Sequence, residues 1–355
     1  MKYRLDKKHN FFSAFNKTTG FYYRSGLLDQ NKKETDEDPF MASHPHLIDI
    51  GIMGHCVHGL NRLCEKAGIE CYQDGPHVNL PNMSLDDYQN IIDQCESKVY
   101  QVALGGRGDP DQHEHFEDIL KYSVGKNIIP NYTTSGLGMT KELAQTSKKY
   151  CGAVAVSWYR SDYTSKAIDL LLAAGVKTNI HYVVKKSTIK EAINLLENNG
   201  FPKVNAIIFL LHKPVGLGSY NQVLDYDAED TKAFFRCIDE NLNKYSIGFD
   251  SCTVPGLINM TSNIDQRSIE SCEGGRFSCY ISADSIMSPC SFDVKNKWAL
   301  SLKELSIQDV WDSKLFDDFR SRLKHGTGNC SECKDLSLCL GGCPIERSVV
   351  LCDQK

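Results

Sequence analysis

The sequence lacks the features that place a chain in a membrane or on a nucleic acid. Its apolar runs, such as residues 206–211, have the length of a strand, whereas about 20 apolar residues are needed to cross a bilayer. Residues 1–10 carry charge with no apolar segment behind them, so they do not read as a secretory signal. A formal net charge of −5, from 40 basic and 45 acidic residues, provides no basic surface for nucleic acid or anionic lipid. We therefore expect a cytoplasmic protein with no nucleic-acid and no membrane partner.

Cysteine, by contrast, is abundant, with 15 residues in 355. Disulfides are rare in the reducing cytoplasm, so clustered thiols there indicate sites for soft metals. Cys56, Cys64 and Cys71 form the first cluster, directly after a strand-like run at residues 47–53. Three thiolates on one loop can hold three irons of a [4Fe-4S] cluster and leave the fourth iron open. Two zinc ligands and one buried thiol are the alternative, and this stretch alone leaves both interpretations open.

A second group of thiols occupies the turn-rich carboxyl-terminal segment. Eight cysteines are enough for two four-thiolate sites, because a tetrahedral metal or a cubane cluster takes four ligands. Zinc is again the alternative, but without histidine at ligand spacing the pattern favours iron and sulfur. The eight are Cys272, Cys279, Cys290, Cys330, Cys333, Cys339, Cys343 and Cys352.

Between these groups, strand and helix patterns alternate. Ser84 with Asp87, and Thr188 with Glu191, have the spacing of helix caps. Such βα repeats predict an α/β fold with a parallel sheet or barrel, whose active site lies at the carboxyl ends of the strands. The loop at residues 56–71 follows the first strand at that end. The predicted strands are residues 47–53, 99–104, 128–132, 153–157, 178–184, 204–211 and 246–250, with a hairpin of residues 11–15 and 21–23 before them.

Two further strand ends carry polar or glycine-rich turns. Gly106 and Gly108 would let the backbone approach a ligand closely, and Asp109 offers a carboxylate for an amine. Ser135, after the third strand, offers a hydroxyl to the same ligand. Simple turn chemistry also accounts for these residues.

With these features the chain, from about residue 46 to 355, resembles the radical S-adenosylmethionine (SAM) enzymes that carry a SPASM domain. The gaps between Cys330, Cys333, Cys339 and Cys343 match the SPASM spacing. Four core segments are similar to family segments. Residues 108–110 resemble Gly-Glu-Pro, 113–116 His-Pro-Asp-Phe, 133–136 Thr-Thr-Asn-Gly, and 156–157 the Val-Ser strand end.

The resemblance implies a partial (β/α)6 parallel barrel with a small turn-rich SPASM domain that holds two auxiliary clusters. The domains would be an amino-terminal hairpin and linker at 1–45, a radical SAM core at 46–260 and the SPASM domain at 261–355. Three [4Fe-4S] clusters and SAM would be the cofactors. Cys56, Cys64 and Cys71 would hold the SAM-binding cluster; Cys272, Cys279, Cys290 and Cys343 the first auxiliary cluster; and Cys330, Cys333, Cys339 and Cys352 the second.

Three departures from the family pattern affect the predicted site. The cysteine loop reads C-x7-C-x6-C where the family has C-x3-C-x2-C, so the loop must be longer. Asp109 replaces a glutamate that contacts the SAM amino group. The loop after Ser157 lacks the family's His-Asp and Arg, which leaves Arg160 as the candidate for the SAM carboxylate.

The implied activity is that of a peptide maturase. Such an enzyme cleaves SAM reductively and uses the 5'-deoxyadenosyl radical to abstract hydrogen from a peptide or protein, for crosslinking, epimerisation or oxidation. A small-molecule dehydrogenase and a non-catalytic, zinc-stapled binding protein are the alternatives. We expect flavodoxin or ferredoxin as electron donor. The 45 residues before the core are too few for the family's leader-binding module. Either a separate leader-binding protein is a further partner, or the peptide is recognised directly, or the substrate is a small molecule.

Two residues outside the predicted ligand sets are catalytic candidates. Asp293 lies two residues beyond Ser291, which stands where sulfatase maturases have an acidic base, so sulfatase maturation is disfavoured. Cys252, at the end of the last predicted strand, has a thiol that could donate hydrogen to a substrate radical; an ordinary buried cysteine is the alternative. Cys95 and Cys237 share helical faces with apolar residues and are predicted to be core residues.

Overall fold

The structure is a computed structural model, which describes residues 1–326 and 328–353. A ten-stranded sheet runs through it in the order β10-β9-β8-β7-β6-β5-β4-β11-β12-β13, and β1-β2-β3 form a separate antiparallel sheet. The strands are β1 Lys2–Asp6, β2 Phe11–Phe15, β3 Tyr22–Leu27, β4 Leu47–Ile50, β5 Gln101–Leu104, β6 Ile129–Thr134, β7 Val154–Ser157, β8 Thr178–Val184, β9 Ala206–Leu211, β10 Ile247–Phe249, β11 Ser278–Ile281, β12 Ile286–Ser288 and β13 Leu300–Ser301.

All seven predicted core strands are confirmed as β4 to β10, and each pairs in parallel with its neighbour. Parallel pairing requires crossovers, which helices supply. The helices are α1 Val57–Leu60, α2 Leu63–Lys66, α3 Leu85–Cys95, α4 Phe116–Gly125, α5 Lys141–Tyr150, α6 Asp162–Ala173, α7 Ile189–Glu197, α8 Glu229–Asn241, α9 Val254–Met260, α10 Ile307–Trp311, α11 Lys314–His325 and α12 Leu336–Cys339.

The two predicted helix caps have different outcomes. Ser84 caps α3 as expected, with its hydroxyl accepting from the backbone N–H of Asp87 at 3.1 Å. Thr188 precedes α7, but its hydroxyl donates to the carbonyl of Val183 at 2.9 Å and makes no cap hydrogen bond. The prediction for Thr188 was therefore wrong, because the end of β8 competes for its side chain.

The carboxyl-terminal segment extends the same sheet, which the sequence did not predict. Strand β11 pairs in parallel with β4, with Tyr280 opposite Asp49, and β12 and β13 follow in antiparallel order. Because β4 precedes the cysteine loop, this pairing fixes the segment that carries eight cysteines beside that loop.

The core lies between the sheet and the helices and includes both cysteines predicted to be structural. Cys95 is 1% exposed and Cys237 is 3% exposed. Strand β1, whose residues alternate between charged and apolar, was not predicted; it completes the amino-terminal sheet by pairing with β2. Among the described residues, no helix is long and apolar enough to cross a membrane.

Candidate functional site

The carboxyl ends of the parallel strands surround a cavity of about 430 Å³. Parallel sheets place ligand sites at this edge, where successive loops converge. The cavity brings together residues from nearly every βα loop of the core. Of the predicted site residues it is lined by Cys56, Cys64, Cys71, Gly106, Gly108, Asp109, Ser135, Ser157 and Arg160.

The three thiols of the long loop meet at one side of this cavity. The Cys56 sulfur accepts the backbone N–H of Gly59 at 3.2 Å, so this thiol caps α1. The Cys71 sulfur accepts the N–H of Gly75 at 3.4 Å. A Cβ at Gly75 would lie 3.5 Å from the Cys71 sulfur and 3.6 Å from the Cys56 sulfur, so both thiols pack against this glycine. Burial, and then nearby charges that include those of Cys71 and Cys64, raise the pKa of Cys56 to about 11. The three thiols therefore lie close to one another.

The long cysteine loop is held by the segments that follow β8 and β9. Lys185 Nζ donates to the carbonyl of Gly68 at 2.8 Å, and the N–H of Leu217 donates to the carbonyl of Cys71 at 2.9 Å. The Ser219 hydroxyl donates to the Glu70 carboxylate at 2.6 Å. Loops of fifteen or more residues are uncommon in compact domains. These contacts with other segments hold the long loop in one position.

Asp109 and Ser135, predicted to bind the same ligand, contact one another. The Asp109 carboxylate accepts the Ser135 N–H at 2.7 Å and the Ser135 hydroxyl at 2.5 Å. Burial raises the pKa of Asp109, while these two hydrogen bonds oppose the rise. Gly108, at φ +71°, has no room for a side chain, since a Cβ would lie 2.5 Å from the carbonyl oxygen of His55. The glycine turn thus packs directly on the start of the cysteine loop.

Arg160 lines the cavity, but its charge is already engaged. Its Nε lies 2.8 and 2.6 Å from the two carboxylate oxygens of Glu191, and its Nη2 lies 2.5 Å from one of them. Nη2 also donates to the Tyr182 hydroxyl at 3.1 Å. The predicted role at the SAM carboxylate would require breaking a bidentate ion pair, which is among the stronger side-chain contacts. The structure therefore makes Arg160 a residue that ties the loop after β7 to α7.

Several lining residues were missed by the sequence reasoning. They come from the strands themselves and from strand ends that carry no recognisable motif. Asp49 is the one with a usable signal, since a carboxylate interrupts the apolar run of β4. Burial, and then the charge of Glu273, raise the pKa of Asp49 to about 7. The missed residues are Asp49, Tyr159, His181, Lys185, His212, Asp250 and Tyr280.

A second group of thiols, which we call the first auxiliary group, consists of Cys252, Cys272, Cys290 and Cys343. Cys252 packs in one apolar cluster with Cys343, and a Cβ at Gly274 would lie 3.6 Å from the Cys272 sulfur and 3.7 Å from the Cys290 Cβ. Burial, and then the nearby charge of Cys343, raise the pKa of Cys272 to about 11. Burial, and then the charges of Cys272 and Cys343, raise the pKa of Cys290 as well. These contacts bring the four thiols into one region of the structure.

Cys279 was predicted in this group but lies elsewhere. It is 1% exposed on β11 and packs into the main core beside Cys95. Its neighbour Tyr280 faces the cavity, and adjacent residues on a strand point to opposite faces. The thiol of Cys279 therefore points towards the helices and away from the cavity.

The two predicted catalytic residues are also placed differently from expectation. Asp293 is 5% exposed, and its carboxylate accepts the N–H groups of Lys297 at 2.9 Å and Trp298 at 2.8 Å. It holds a turn together and does not line the cavity. Cys252 does not line the cavity either and packs in one apolar cluster with Cys343. The catalytic roles of both residues stay predictions.

The third group of thiols lines a separate, open cavity. It is lined by all four cysteines that are predicted to hold the second auxiliary cluster, and that ligand role stays a prediction: Cys330, Cys333, Cys339 and Cys352. Arg347 donates to the Cys330 sulfur at 3.2 Å and places a positive charge beside this group.

The donor chemistry of all three groups fits iron and sulfur. Within residues 1–326 and 328–353, no three His, Cys, Asp or Glu side chains are close enough to hold a single metal ion. Four thiolates, or three with one open position, are the ligand sets that a cubane iron-sulfur cluster takes.

Comparisons with known proteins agree with this arrangement. The SPASM family model, described as an iron-sulfur cluster-binding domain, matches residues 272–334. Mycofactocin maturase MftC of Mycolicibacterium smegmatis (strain ATCC 700084 / mc(2)155) is 22% identical over 323 residues, which cover 80% of this chain and 76% of that protein.

Solved structures share the fold at low sequence identity. Streptococcus suis SuiB bound to its precursor peptide SuiA has a TM-score of 0.65 and 17% identity, covering 89% of this chain and 80% of that one. The anSMEcpe protein with bound AdoMet and the Cp18Cys peptide has a TM-score of 0.61 and 17% identity, covering 88% and 91%. The predicted α/β fold with a large parallel sheet is confirmed and is shared with these structures, and the predicted carboxyl-terminal SPASM domain is confirmed by the family match.

The close packing of the cysteine loop gives a first prediction. A Cβ at Gly59 would lie 2.6 Å from the carbonyl carbon of Gly75, so Gly59→Ala must push the two arms of the loop apart. We expect a loss of about 1 to 3 kcal/mol in stability, typical of overpacking, and loss of one cluster's share of iron. Anaerobic melting and iron analysis measure both. Gly125→Ala is the matched control, because a Cβ at this helical glycine meets nothing within 4 Å. Equal iron in the two variants would contradict the packing argument.

Asp49 gives a second prediction, on pH. Its folded-state pKa of about 7 lies above the value of about 4 in an unfolded chain, so the folded protein binds this proton more tightly. The resulting stability is present below pH 4 and is lost as the pH rises through 7. Asp49→Asn should therefore be roughly 1 to 3 kcal/mol more stable, relative to the parent, at pH 8 than at pH 5. Anaerobic denaturant unfolding at both pH values measures this. A difference independent of pH would show that Asp49 ionises normally.

Proposed function

We infer that this chain, a radical SAM enzyme with a SPASM domain, modifies a peptide or protein substrate at the cavity described above. The observation that carries the proposal is the meeting of Cys56, Cys64 and Cys71 with Asp109 and Ser135 in one cavity. Three soft ligands leave one iron of a cubane open, and a carboxylate beside that position suits an amine.

The roles of the chain's own residues follow from their positions. Cys56, Cys64 and Cys71 would hold the [4Fe-4S] cluster, and Asp109, oriented by Ser135, would accept hydrogen bonds from the amino group of SAM. When bound, the cluster supplies the electron that cleaves SAM into methionine and a 5'-deoxyadenosyl radical, which takes a hydrogen atom from the substrate. Gly106, Gly108 and Ser157 would line the SAM site with backbone or small side chains.

The cavity walls are suited to keeping water from a reactive species. The rings of Tyr72 and Phe292 pack with their centroids 4.5 Å apart and their planes at 35°. Gln73 donates to the carbonyl of Ser291 at 3.0 Å. These contacts join the cysteine loop to the segment after Cys290 and close one side of the cavity. Tyr159 adds a further aromatic wall. An enclosed, water-poor site prevents side reactions of the intermediate.

Support for a peptide substrate comes from the relatives. SuiB is bound to a precursor peptide, anSMEcpe to a peptide, and MftC is described as a maturase. The bond made is open among crosslinking, epimerisation and oxidation. Flavodoxin or ferredoxin would supply the electron, and a separate protein would bind the leader of the precursor. The clustering of cysteines in groups suited to soft metals favours the cytoplasm as the compartment.

The first and second auxiliary groups would each hold a further [4Fe-4S] cluster. We assign Cys252, Cys272, Cys290 and Cys343 to the first, and Cys330, Cys333, Cys339 and Cys352 to the second. Cys343 would still connect the two sites along the chain, since it follows Cys339 by four positions.

Replacement of the loop thiols tests the activity. Anaerobically purified protein should be brown and rich in iron, and with SAM and a reductant it should release 5'-deoxyadenosine. Mass spectrometry after incubation with short peptides encoded beside the gene identifies the substrate. The triple variant Cys56→Ala, Cys64→Ala, Cys71→Ala should lose SAM cleavage and keep the iron of the auxiliary groups. Colourless protein with zinc, or 5'-deoxyadenosine from the triple variant, would exclude the proposal.

The assignment of Cys252 over Cys279 has its own matched pair of variants. Cys252→Ala should lose one cluster's share of iron and the corresponding paramagnetic signal after reduction. Cys279→Ala should retain that iron and cost about 1 to 3 kcal/mol, as expected for a small cavity in a core. Iron analysis and electron paramagnetic resonance (EPR) spectroscopy compare the two. Loss of the cluster in Cys279→Ala alone would return that cysteine to the ligand set.

A further inference from the structure

A buried ion pair lies between the reaction cavity and the first auxiliary group. Lys213 follows β9 and Asp250 follows β10, and Lys213 Nζ lies 2.5 Å from Asp250 Oδ2. The lysine side chain is 2% exposed and the aspartate side chain 18%. Lys213 also donates to the carbonyl of Leu211 at 3.1 Å, and Asp250 accepts the hydroxyl of Thr253 at 2.7 Å. The pair is therefore fixed by hydrogen bonds at both ends.

Each partner reaches one of the two sites. Asp250 lines the cavity in which SAM and substrate would react. Lys213 Nζ lies 4.3 Å from the ring centroid of Phe292, two residues beyond Cys290. Asp250 precedes Cys252 by two positions, so the pair lies beside two members of the first auxiliary group, Cys252 and Cys290.

Stability alone does not account for this pair. Burying two charges costs several kcal/mol per ion, and an apolar pair of similar volume often holds a fold equally well. Charges placed beside thiolate ligands, in contrast, change the electronic properties of the metal that those ligands bind. The location of the pair thus favours an electrostatic role.

We propose that the Lys213–Asp250 pair sets the reduction potential of the cluster held by the first auxiliary group. The proposal rests on the proposed function only in assuming that this group binds a [4Fe-4S] cluster. Reduction adds one negative charge to such a cluster. Lys213 stabilises that added charge and raises the potential, whereas Asp250 opposes it and lowers the potential.

Single substitutions should move the potential in opposite directions. Lys213→Met leaves the negative charge of Asp250 and should lower it, and Asp250→Asn leaves the positive charge of Lys213 and should raise it. Lys213→Arg keeps the charge and should stay near the parent. The measurement is an EPR-monitored redox titration of the anaerobic holoenzyme. Lys203→Met is the matched control, since this exposed lysine precedes the same strand, β9, at its opposite end.

The outcomes separate this inference from the function on which it rests. No shift, or shifts of the same sign in both single variants, would overturn the electrostatic role. If one single variant fails to retain iron, the other decides: a potential at or above that of the parent in Lys213→Met, or at or below it in Asp250→Asn, overturns the proposal. A parent protein without a cluster in this group would instead exclude the ligand assignment itself.

Discussion

The structure depends on bringing three thiols on a long loop to one side of a cavity at the carboxyl edge of a parallel sheet. A loop of this length carries a larger entropic cost than a short motif, and the cost is offset by contacts outside the loop. Lys185 and Leu217, in the segments after two neighbouring strands, donate hydrogen bonds to backbone carbonyls of the loop. Gly59 and Gly75 then allow its two arms to pack at backbone distance. The loop is thus positioned by contacts with segments of the parallel sheet, together with its own two glycines.

The carboxyl-terminal segment uses the same sheet for a second purpose. By pairing with β4, strand β11 places Tyr280 against the glycines at the ends of β4 and β5, where a Cβ at Gly51 would lie 2.4 Å from its hydroxyl. The next residues then carry Cys290 to a position beside Cys272 and Cys343. One strand pairing therefore shapes the cavity floor and brings the first auxiliary group close to it.

Several ionisable side chains at or beside the cavity are buried, and burial disfavours their charged forms. Burial raises the pKa of both Asp49 and Asp109, so these carboxylates bind protons more tightly than exposed ones. Lys213 keeps its charge because Asp250 neutralises it at short range, and the pKa of the lysine is raised despite its burial. Such groups respond strongly to a cationic ligand or a cluster, because screening by water is weak there.

The sequence by itself determined the fold class and most of the cysteine groups. Apolar runs bounded by helix patterns predicted seven strands, because burial on both faces of a parallel strand requires them, and the spacing from Cys330 to Cys343 identified the SPASM segment. Tertiary structure alone decided that the thiol of Cys279 lies in the core. Its position depends on which face of β11 it occupies, and this follows from the pairing of β11 with β4, a contact between residues more than 200 positions apart that leaves no local pattern. The same holds for Arg160 and Asp293, whose partners come from packing that only the folded chain provides.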